Sequence, residues 1–305
     1  MEVIRLGIND KLNIDAKLAA TLGQFDGIHI GHMKLINEVK NIALKENLKS
    51  ALITFDPHPD FVLRKRENLG YLLPLQDKIK SLEELDFDYL IVIEFSVPMS
   101  EMSPNEFYDK YLSSLEVLVV GSDFRFGYRG KGNVELLKTM DIRVIAIDVL
   151  KMNNIKIGSN QIRELLMNGE VDKIYQLLNH YYNITGVVRH GAKVGRTLGI
   201  RTANVDLNEE YQIIKKGVYA VTVNTNAGIF LGVCNIGNNP SINYVEKMRL
   251  EVHILDFEGE LYNETISIDF LQRIRDELYF ANIQDLIDQI HNDIKYVKEN
   301  FRGKI

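Results

Sequence analysis

The stretch "TLGQFDGIHIGH", Thr21–His32, holds two histidines three apart, three glycines and one acid in twelve residues. Before it, the apolar run ending in "LGQF" reads as a strand. After it, "HMKLINEVKNIALKEN" (32–47) places Leu35, Ile36, Val39, Ile42 and Ala43 on one stripe and reads as an amphipathic helix. Gly23, Gly27 and Gly31 would let backbone approach a ligand. His29 and His32 would stand at the amino end of the helix, where free N–H groups and the helix dipole attract anions. The spacing predicts a strand-to-helix turn that takes a phosphate chain. The plainer alternative is a capped turn with two incidental histidines.

Working outward, residues 19 to about 180 alternate short, nearly continuous apolar runs with helical stretches. The strand candidates are "AATLGQF", "SALITFD" (50–56), "DYLIVIEF" (88–95), "EVLVVGSDF" (116–124) and "IRVIAIDVL" (142–150). Their Val and Ile content suits strands buried on both faces, and Ser103-Pro104 opens a helix with a cap and a first-turn proline. Strand–helix alternation predicts an α/β, doubly wound parallel sheet, with ligands at the carboxyl ends of its strands. After about 184 the rhythm changes. "NITGVVRHG", "GVYAVTVNT", "GIFLGVCNIG", "RLEVHILDF" and "LYNETISIDF" are β-branched runs punctuated by Gly, Asn and Asp, and one long helix follows at 283–301. This predicts an antiparallel β-barrel with a C-terminal helix. The domains are expected at 1–183 and 184–305.

The 305 residues are 46% hydrophobic, enough for two cores, and the net charge of -6 argues against a long polyanion as partner. A single cysteine, Cys234, excludes a disulfide framework and a cysteine-based zinc site, and its apolar strand makes it a core residue. No run approaches the length that spans a bilayer. The "MEVIRLGIND" start lacks a signal-peptide core, so the expected location is cytoplasmic. No nucleic acid, membrane or obligate protein partner is expected.

The His-x-Gly-His stretch resembles the signature of the nucleotidylyltransferases. "TFDPHPD" (54–60), "GSDFRFGYRGKGN" (121–133) and "IGSNQIRELLMNGEV" (157–171) resemble three elements of bacterial FMN adenylyltransferases. "GVVRHGAKVGRTLGIRTANVDL" (186–207), "NIGNNPSI" (235–242), "RLEVHILDFEGELYNE" (249–264) and "RIRDELYF" (273–280) resemble the riboflavin kinase module, in that order. Nearly the whole chain is therefore similar to the prokaryotic bifunctional riboflavin kinase/FMN adenylyltransferase family. The resemblance implies an N-terminal nucleotidylyltransferase domain that makes FAD from FMN and ATP. It implies a kinase barrel that makes FMN from riboflavin and ATP, with Mg²⁺ as the metal.

For the first half, the resemblance implies phosphate-binding roles for His29, His32, Ser159 and Arg163. Gly23, Phe25, Gly31, Asp123 and Asn133 fall in the cofactor-binding elements, and Asn133 also reads as a helix cap. Asp26 either bonds ribose or fixes the turn. His58 either faces nucleotide or flavin, or is a buried loop histidine. Phe124 and Phe126 either stack on the isoalloxazine or fill the core. The chain departs from the family at Gly158, Asn160 and Gln161, where Ser, Thr and Arg are usual.

For the kinase half, the resemblance implies Glu251 as general base and Thr202 and Asn204 as Mg²⁺ and phosphate ligands. It places Asn235 in the cofactor site. Gly191, Gly195 and Gly199 punctuate a loop whose amides either cradle phosphates or form an ordinary hairpin; the spacing is not that of a P-loop. Arg275 and Glu277 either line the flavin site or pair on the surface. Arg201 replaces a proline and Asn263 a glycine. These two motivate an alternative in which the barrel is a weak kinase and only adenylyl transfer survives.

Overall fold

The computed structural model describes residues 1–63, 70–190, 200–207, 209–240 and 246–303. The chain divides into two compact units, Met1–Ser159 and Asn160–Ile305.

The first unit is built on a six-stranded sheet. Its strands are β1 (Glu2–Leu6), β2 (Leu18–Leu22), β3 (Lys49–Asp56), β4 (Tyr89–Glu94), β5 (Val117–Gly121) and β8 (Arg143–Ile147). Two short hairpins, β6 (Arg125–Phe126) with β7 (Gly132–Asn133) and β9 (Lys151–Met152) with β10 (Ile155–Lys156), complete its β structure. The sheet runs β1-β4-β3-β2-β5-β8, and every pair in it is parallel. Side chains alternate between two cores, as period-2 geometry requires. Ala19, Leu52, Leu90 and Val119 face one core with Ile36, Val39 and Ile42 of helix α1 (Ile30–Glu46). Leu18, Ala20, Ile53, Ile91 and Leu118 face the other, which takes Phe107 and Tyr111 from helix α5 (Pro104–Tyr111). That burial on both faces is why these strands read as unbroken apolar runs. Helix α5 starts as its sequence predicts. Ser103 Oγ accepts from the Glu106 amide at 3.2 Å, and the Glu106 carboxylate accepts from the Ser103 amide at 2.8 Å.

The strand rhythm does not anticipate β1. It is a five-residue edge strand with mostly exposed positions, so it carries no apolar run. From β2 the chain first builds outward through β3 and β4, then returns to place β5 on the other side of β2. The carboxyl ends of β2 and β5 thus flank a topological switch point, where such sheets open a ligand crevice.

In the second unit, helices α7 (Ser159–Asn168) and α8 (Val171–Leu178) precede a closed barrel in the order β11-β12-β15-β14-β13-β16. The barrel strands are β11 (Tyr182–Arg189), β12 (Ala203–Asp206), β13 (Gly217–Thr225), β14 (Gly228–Pro240), β15 (Glu246–Ile254) and β16 (Thr265–Arg275). Adjacent strands are antiparallel throughout, and β11 closes on β16. Tyr219, Cys234, Ile236, Leu250, Val252 and Phe270 are fully buried. Burial pushes the Cys234 thiol far up, so it is inert core, as expected. The C-terminal helix, Ile283–Phe301, is capped by Asn282 and lays Val297 and Phe301 on Val218, Ala220, Leu231 and Val233. Only β12 among the barrel strands was legible as a motif but not as a strand; it is four residues long. The compact units meet at Ser159 and Asn160, ahead of the change of rhythm at 183/184. Helix α8 explains the difference, because it packs on β16 and β11.

Candidate functional site

The first site forms where β2 gives way to α1. The helix begins two residues earlier than its apolar stripe indicates, because His29 is its cap: His29 Nδ1 accepts from the His32 amide at 3.2 Å. The two rings stack with centroids 3.6 Å apart and planes 11° apart, and Phe25 packs on His32 at 4.8 Å. A Cβ on Gly31 would lie 3.1 Å from the His29 ring, so a side chain there would crowd this stack. His29 is 7% exposed, and burial holds it at about 4, against an ordinary 6.5. Burial, then His29, Lys78 and Lys156, push His32 well down too. Both rings are therefore neutral near pH 7. With its Nδ1 accepting, neutral His29 carries its proton on Nε2, free to point a donor at a ligand. His32 Nδ1 is buried without a hydrogen-bond partner among the described residues.

The turn that carries this pair is strained. Phe25 (φ 48°) and Ile28 (φ 39°) are left-handed without being glycine, with Gly27 (φ 92°) between them. A β-branched residue there is a genuine outlier, and such strain persists only where surroundings over-determine it. Asp26, 1% exposed, accepts from the amides of Leu72 and Leu73, both at 2.9 Å through Oδ1. Ser159 Oγ donates to the Asp26 carbonyl at 2.7 Å. Gly23 leaves room for the Phe25 ring, which is fully buried.

Tyr71 links this turn to His58. Its hydroxyl accepts from the His58 amide at 3.1 Å and donates to Asp56 Oδ1 at 3.3 Å. His58 caps helix α2 (Pro59–Val62) through Nδ1 and packs on Phe61. Past the end of β5, exposed Asp123 pairs with Lys156. Phe126 belongs to the core, while half-buried Phe124 packs against its edge and stacks on Phe126 at 5.8 Å. Asn133 caps helix α6 (Val134–Leu137), its Oδ1 accepting from Leu136 at 2.8 Å. Arg163 is buried in α7. Sequence reasoning missed Tyr71, Lys156 and Lys78. None belongs to a quoted motif, and only a buried lysine after a loop would have hinted at Lys78.

On the barrel, Asn204 of β12 and Asn235 of β14 both pair with Glu251 of β15, so the three side chains share one row across three strands. Their neighbours Leu250, Val252, Cys234 and Ile236 point into the core. Arg249, on the same face of β15, pairs with Glu251 and donates to Asn204 Oδ1 at 3.3 Å. Thr202, exposed, lies two residues before Asn204, and the Arg201 carbonyl beside it accepts from His253 Nδ1 at 2.7 Å. The Glu277 carboxylate lies beside Gly237, two residues along β14 from Asn235: a Cβ on Gly237 would lie 3.1 Å from it and 3.9 Å from the Asn235 amide. Arg275 points elsewhere. It forms a three-bond pair with Asp293 of the C-terminal helix, closest at 2.7 Å. Gly191, Gly195 and Gly199 lie outside the described residues. Arg249, His253 and Asp293 went unread in the sequence, since a charged residue in a strand or helix looks like a solvated one.

The FAD synthetase family model matches residues 11–163 and the riboflavin kinase model residues 178–301. The bifunctional riboflavin kinase/FMN adenylyltransferase of Listeria monocytogenes is 40% identical over 285 residues, covering 92% of this chain and 91% of the relative. That of Bacillus subtilis is 40% identical over 286 residues, covering 91% and 90%. The crystal structure of a macrolide-efflux protein from Streptococcus pneumoniae has the same fold throughout, with a TM-score of 0.88 at 29% identity, covering 97% of this chain and 99% of that one. Efflux is that protein's name alone; no helix among the described residues here is long and apolar enough to cross a membrane. By both family models and by these full-length relatives, the chain belongs to the bifunctional riboflavin kinase/FMN adenylyltransferase family.

Proposed function

We propose that the barrel phosphorylates riboflavin to FMN with ATP, and that the parallel-sheet unit transfers AMP from a second ATP to FMN, releasing pyrophosphate. One observation carries this reading: among the described residues, the parallel-sheet unit holds the stacked histidine pair and the barrel holds the Glu251 row, and the two suit the two reactions. The stacked neutral histidines at a helix amino end suit a substrate that is already an anion. The row of Glu251 between Asn204 and Asn235 suits a substrate that must lose a proton.

In adenylyl transfer, an FMN phosphate oxygen attacks the α-phosphorus of ATP and the bond to the β-phosphate breaks. The nucleophile is ionised at neutral pH, so no base is required. The task is to align two anions and stabilise the charge that develops. His29 Nε2–H and the free amides of the α1 amino end supply donors. Ser159, at the head of α7, and Arg163, a turn further on, are assigned to phosphate on the strength of the helix-start motif. Asp26 holds the turn through Leu72 and Leu73, so its Oδ1 is a structural acceptor. His58 and Phe124 are assigned to the flavin or nucleotide side of the crevice.

In the kinase step, the riboflavin 5′-hydroxyl attacks the γ-phosphorus while Glu251 takes its proton, and ADP leaves. Arg249 holds the carboxylate in place. Glu277 and Asn235 line the flavin end, and Arg275 fixes the segment that carries Glu277. The Thr202 hydroxyl and the second lone pair of Asn204 Oδ1 are oxygen donors suited to Mg²⁺, which keeps phosphate oxygens and waters as its other ligands. Bound with ATP, such an ion would neutralise developing phosphate charge. Residues 1–183 are assigned to adenylyl transfer and 184–305 to the kinase. Dependence on ATP in both steps suits the cytoplasm.

The test is direct. Pure protein with ATP, Mg²⁺ and either riboflavin or FMN should yield FMN and FAD from the first and FAD from the second, resolved by chromatography. Failure to form FMN from riboflavin would leave only the adenylyltransferase reading.

A further inference from the structure

Beneath the strained turn lies a buried cation. Lys78, in the first turn of helix α3 (Leu75–Glu84), is 2% exposed. Its ammonium donates to the Gln24 carbonyl at 2.7 Å and to Thr54 Oγ1 at 3.2 Å. Thr54, on β3, also donates to the Gln24 carbonyl, at 2.9 Å. Both acceptors are neutral, and lysine is seldom buried without a strong partner. Methionine would fill the same space at no cost in desolvation. The charge must therefore serve what it touches, and it touches the carbonyl just before the strained turn of Phe25, Gly27 and Ile28.

We propose that Lys78 is a positioning residue for adenylyl transfer: its ammonium holds the Gln24 carbonyl from beneath, and with it the turn that aims His29 and His32. The proposal rests on the adenylyl-transfer reading of the first unit. The geometry has an electrostatic consequence. Burial first, then His29, Lys78 and Lys156, disfavour protonation of His32, so that ring stays neutral. Burial holds Lys78 itself at about 8, with Asp26 and Asp56 pulling it upward. Its charge, and the grip on Gln24, should weaken above that pH.

The full-length chain should be assayed for FMN adenylylation and riboflavin phosphorylation side by side, from about pH 6 to about pH 9.5. Lys78→Met is expected to lower kcat for FAD formation about 10²-fold, the scale of a small misplacement of reacting groups. KM for ATP and FMN should change little and riboflavin phosphorylation not at all. Lys78→Arg, charged at every pH used, should recover part of the rate and lose the alkaline limb expected of wild type near 8. A space-filling lysine would give neither result. Wild-type kcat in Lys78→Met, or one alkaline limb shared by all three proteins, overturns the proposal. Should Lys78→Met lose the cooperative melt, Thr54→Val carries the test. It keeps the shape but removes the hydroxyl that Lys78 and the Gln24 carbonyl share, so FAD formation should fall while the alkaline limb stays, and a wild-type rate there also overturns the proposal. A wild type that makes FMN but no FAD removes the adenylyl-transfer reading itself.

Discussion

His29 does two jobs in this geometry, and a pair of substitutions separates them. As a cap, its Nδ1 satisfies the His32 amide at 3.2 Å. As a donor, its Nε2–H is the group proposed to meet phosphate. His29→Ala removes both. Losing the cap should cost about 0.5–2 kcal/mol of stability, and losing one oriented donor to a developing charge should cost about 10²–10³ in rate, or about 2.7–4 kcal/mol. Asparagine is among the best caps, so His29→Asn should restore most of the stability and little of the rate. Urea denaturation gives the first quantity. FAD formed from FMN and ATP gives the second, with FMN formed from riboflavin as the internal control that should not move. If His29→Asn recovers wild-type FAD formation, the ring is only a cap and the donor assignment falls. If both variants match wild type in rate, His29 plays no part in the chemistry.

Four further outcomes follow from the same geometry. Because burial lowers His29 from 6.5 to about 4, the neutral form is favoured by folding. Its contribution is whole above about 6.5 and is lost as pH falls toward 4, on the order of 3 kcal/mol; urea midpoints across that window should drop less in His29→Asn. Glu251→Gln keeps shape and loses the base, so riboflavin phosphorylation should fall about 10²–10⁴ with FMN adenylylation unchanged; equal phosphorylation rates would reassign the base. Asp293→Ala strands the Arg275 guanidinium beside a 3% exposed position and should cost about 3–5 kcal/mol, read as a lowered melting temperature, whereas an unchanged melt would make the pair ornamental. Arg201→Pro keeps the carbonyl that His253 holds and stiffens the backbone before Thr202, so KM for ATP in the kinase step should fall; a rise would mean that Arg201 itself binds phosphate.

Much of the first unit was legible because parallel strands buried on both faces leave continuous apolar runs, and Leu18–Leu22 and Val117–Gly121 are such runs. Edge strand β1 has no such signature. The histidine pair was legible as a motif, but its meaning was not: spacing alone shows neither the 3.6 Å stack nor a cap made by an imidazole. Asp26 shows the same limit. An acid between glycines suits ribose as well as a turn, and only the Leu72 and Leu73 amides, 46 and 47 residues away, show where its Oδ1 is committed. Long-range partners of this kind carry no local pattern. The same reason hid Lys78 and Tyr71, which act on the turn from other parts of the chain. Phe124 and Phe126 stay distinct for a simpler reason. A spacing of two would put both on one face of a strand, yet β6 begins only at Arg125, and Phe126 is buried in the core while Phe124 is half covered at its edge.

The barrel's departures from its family look damaging in sequence and are not in structure. Asn263 replaces a glycine, which suggests a lost backbone freedom. Its φ is 64°, the left-handed conformation that glycine adopts freely and asparagine more readily than other residues. The turn is therefore kept, and the side chain adds a partner glycine lacks, its Oδ1 accepting from Arg189 at 2.9 Å. The Asn263 amide also donates to the Val188 carbonyl at 2.9 Å, tying the turn to β11. Arg201 replaces a proline, which suggests a loosened approach to Thr202. The Arg201 carbonyl is gripped by His253, two residues beyond Glu251 on β15, at 2.7 Å. That bond fixes the segment by a contact where proline would fix it by a ring. The segment before Thr202 is thus held from β15, and the Asn263 turn is tied to β11, whose Arg189 pairs with Asn204; neither departure gives a physical reason for a kinase-dead barrel.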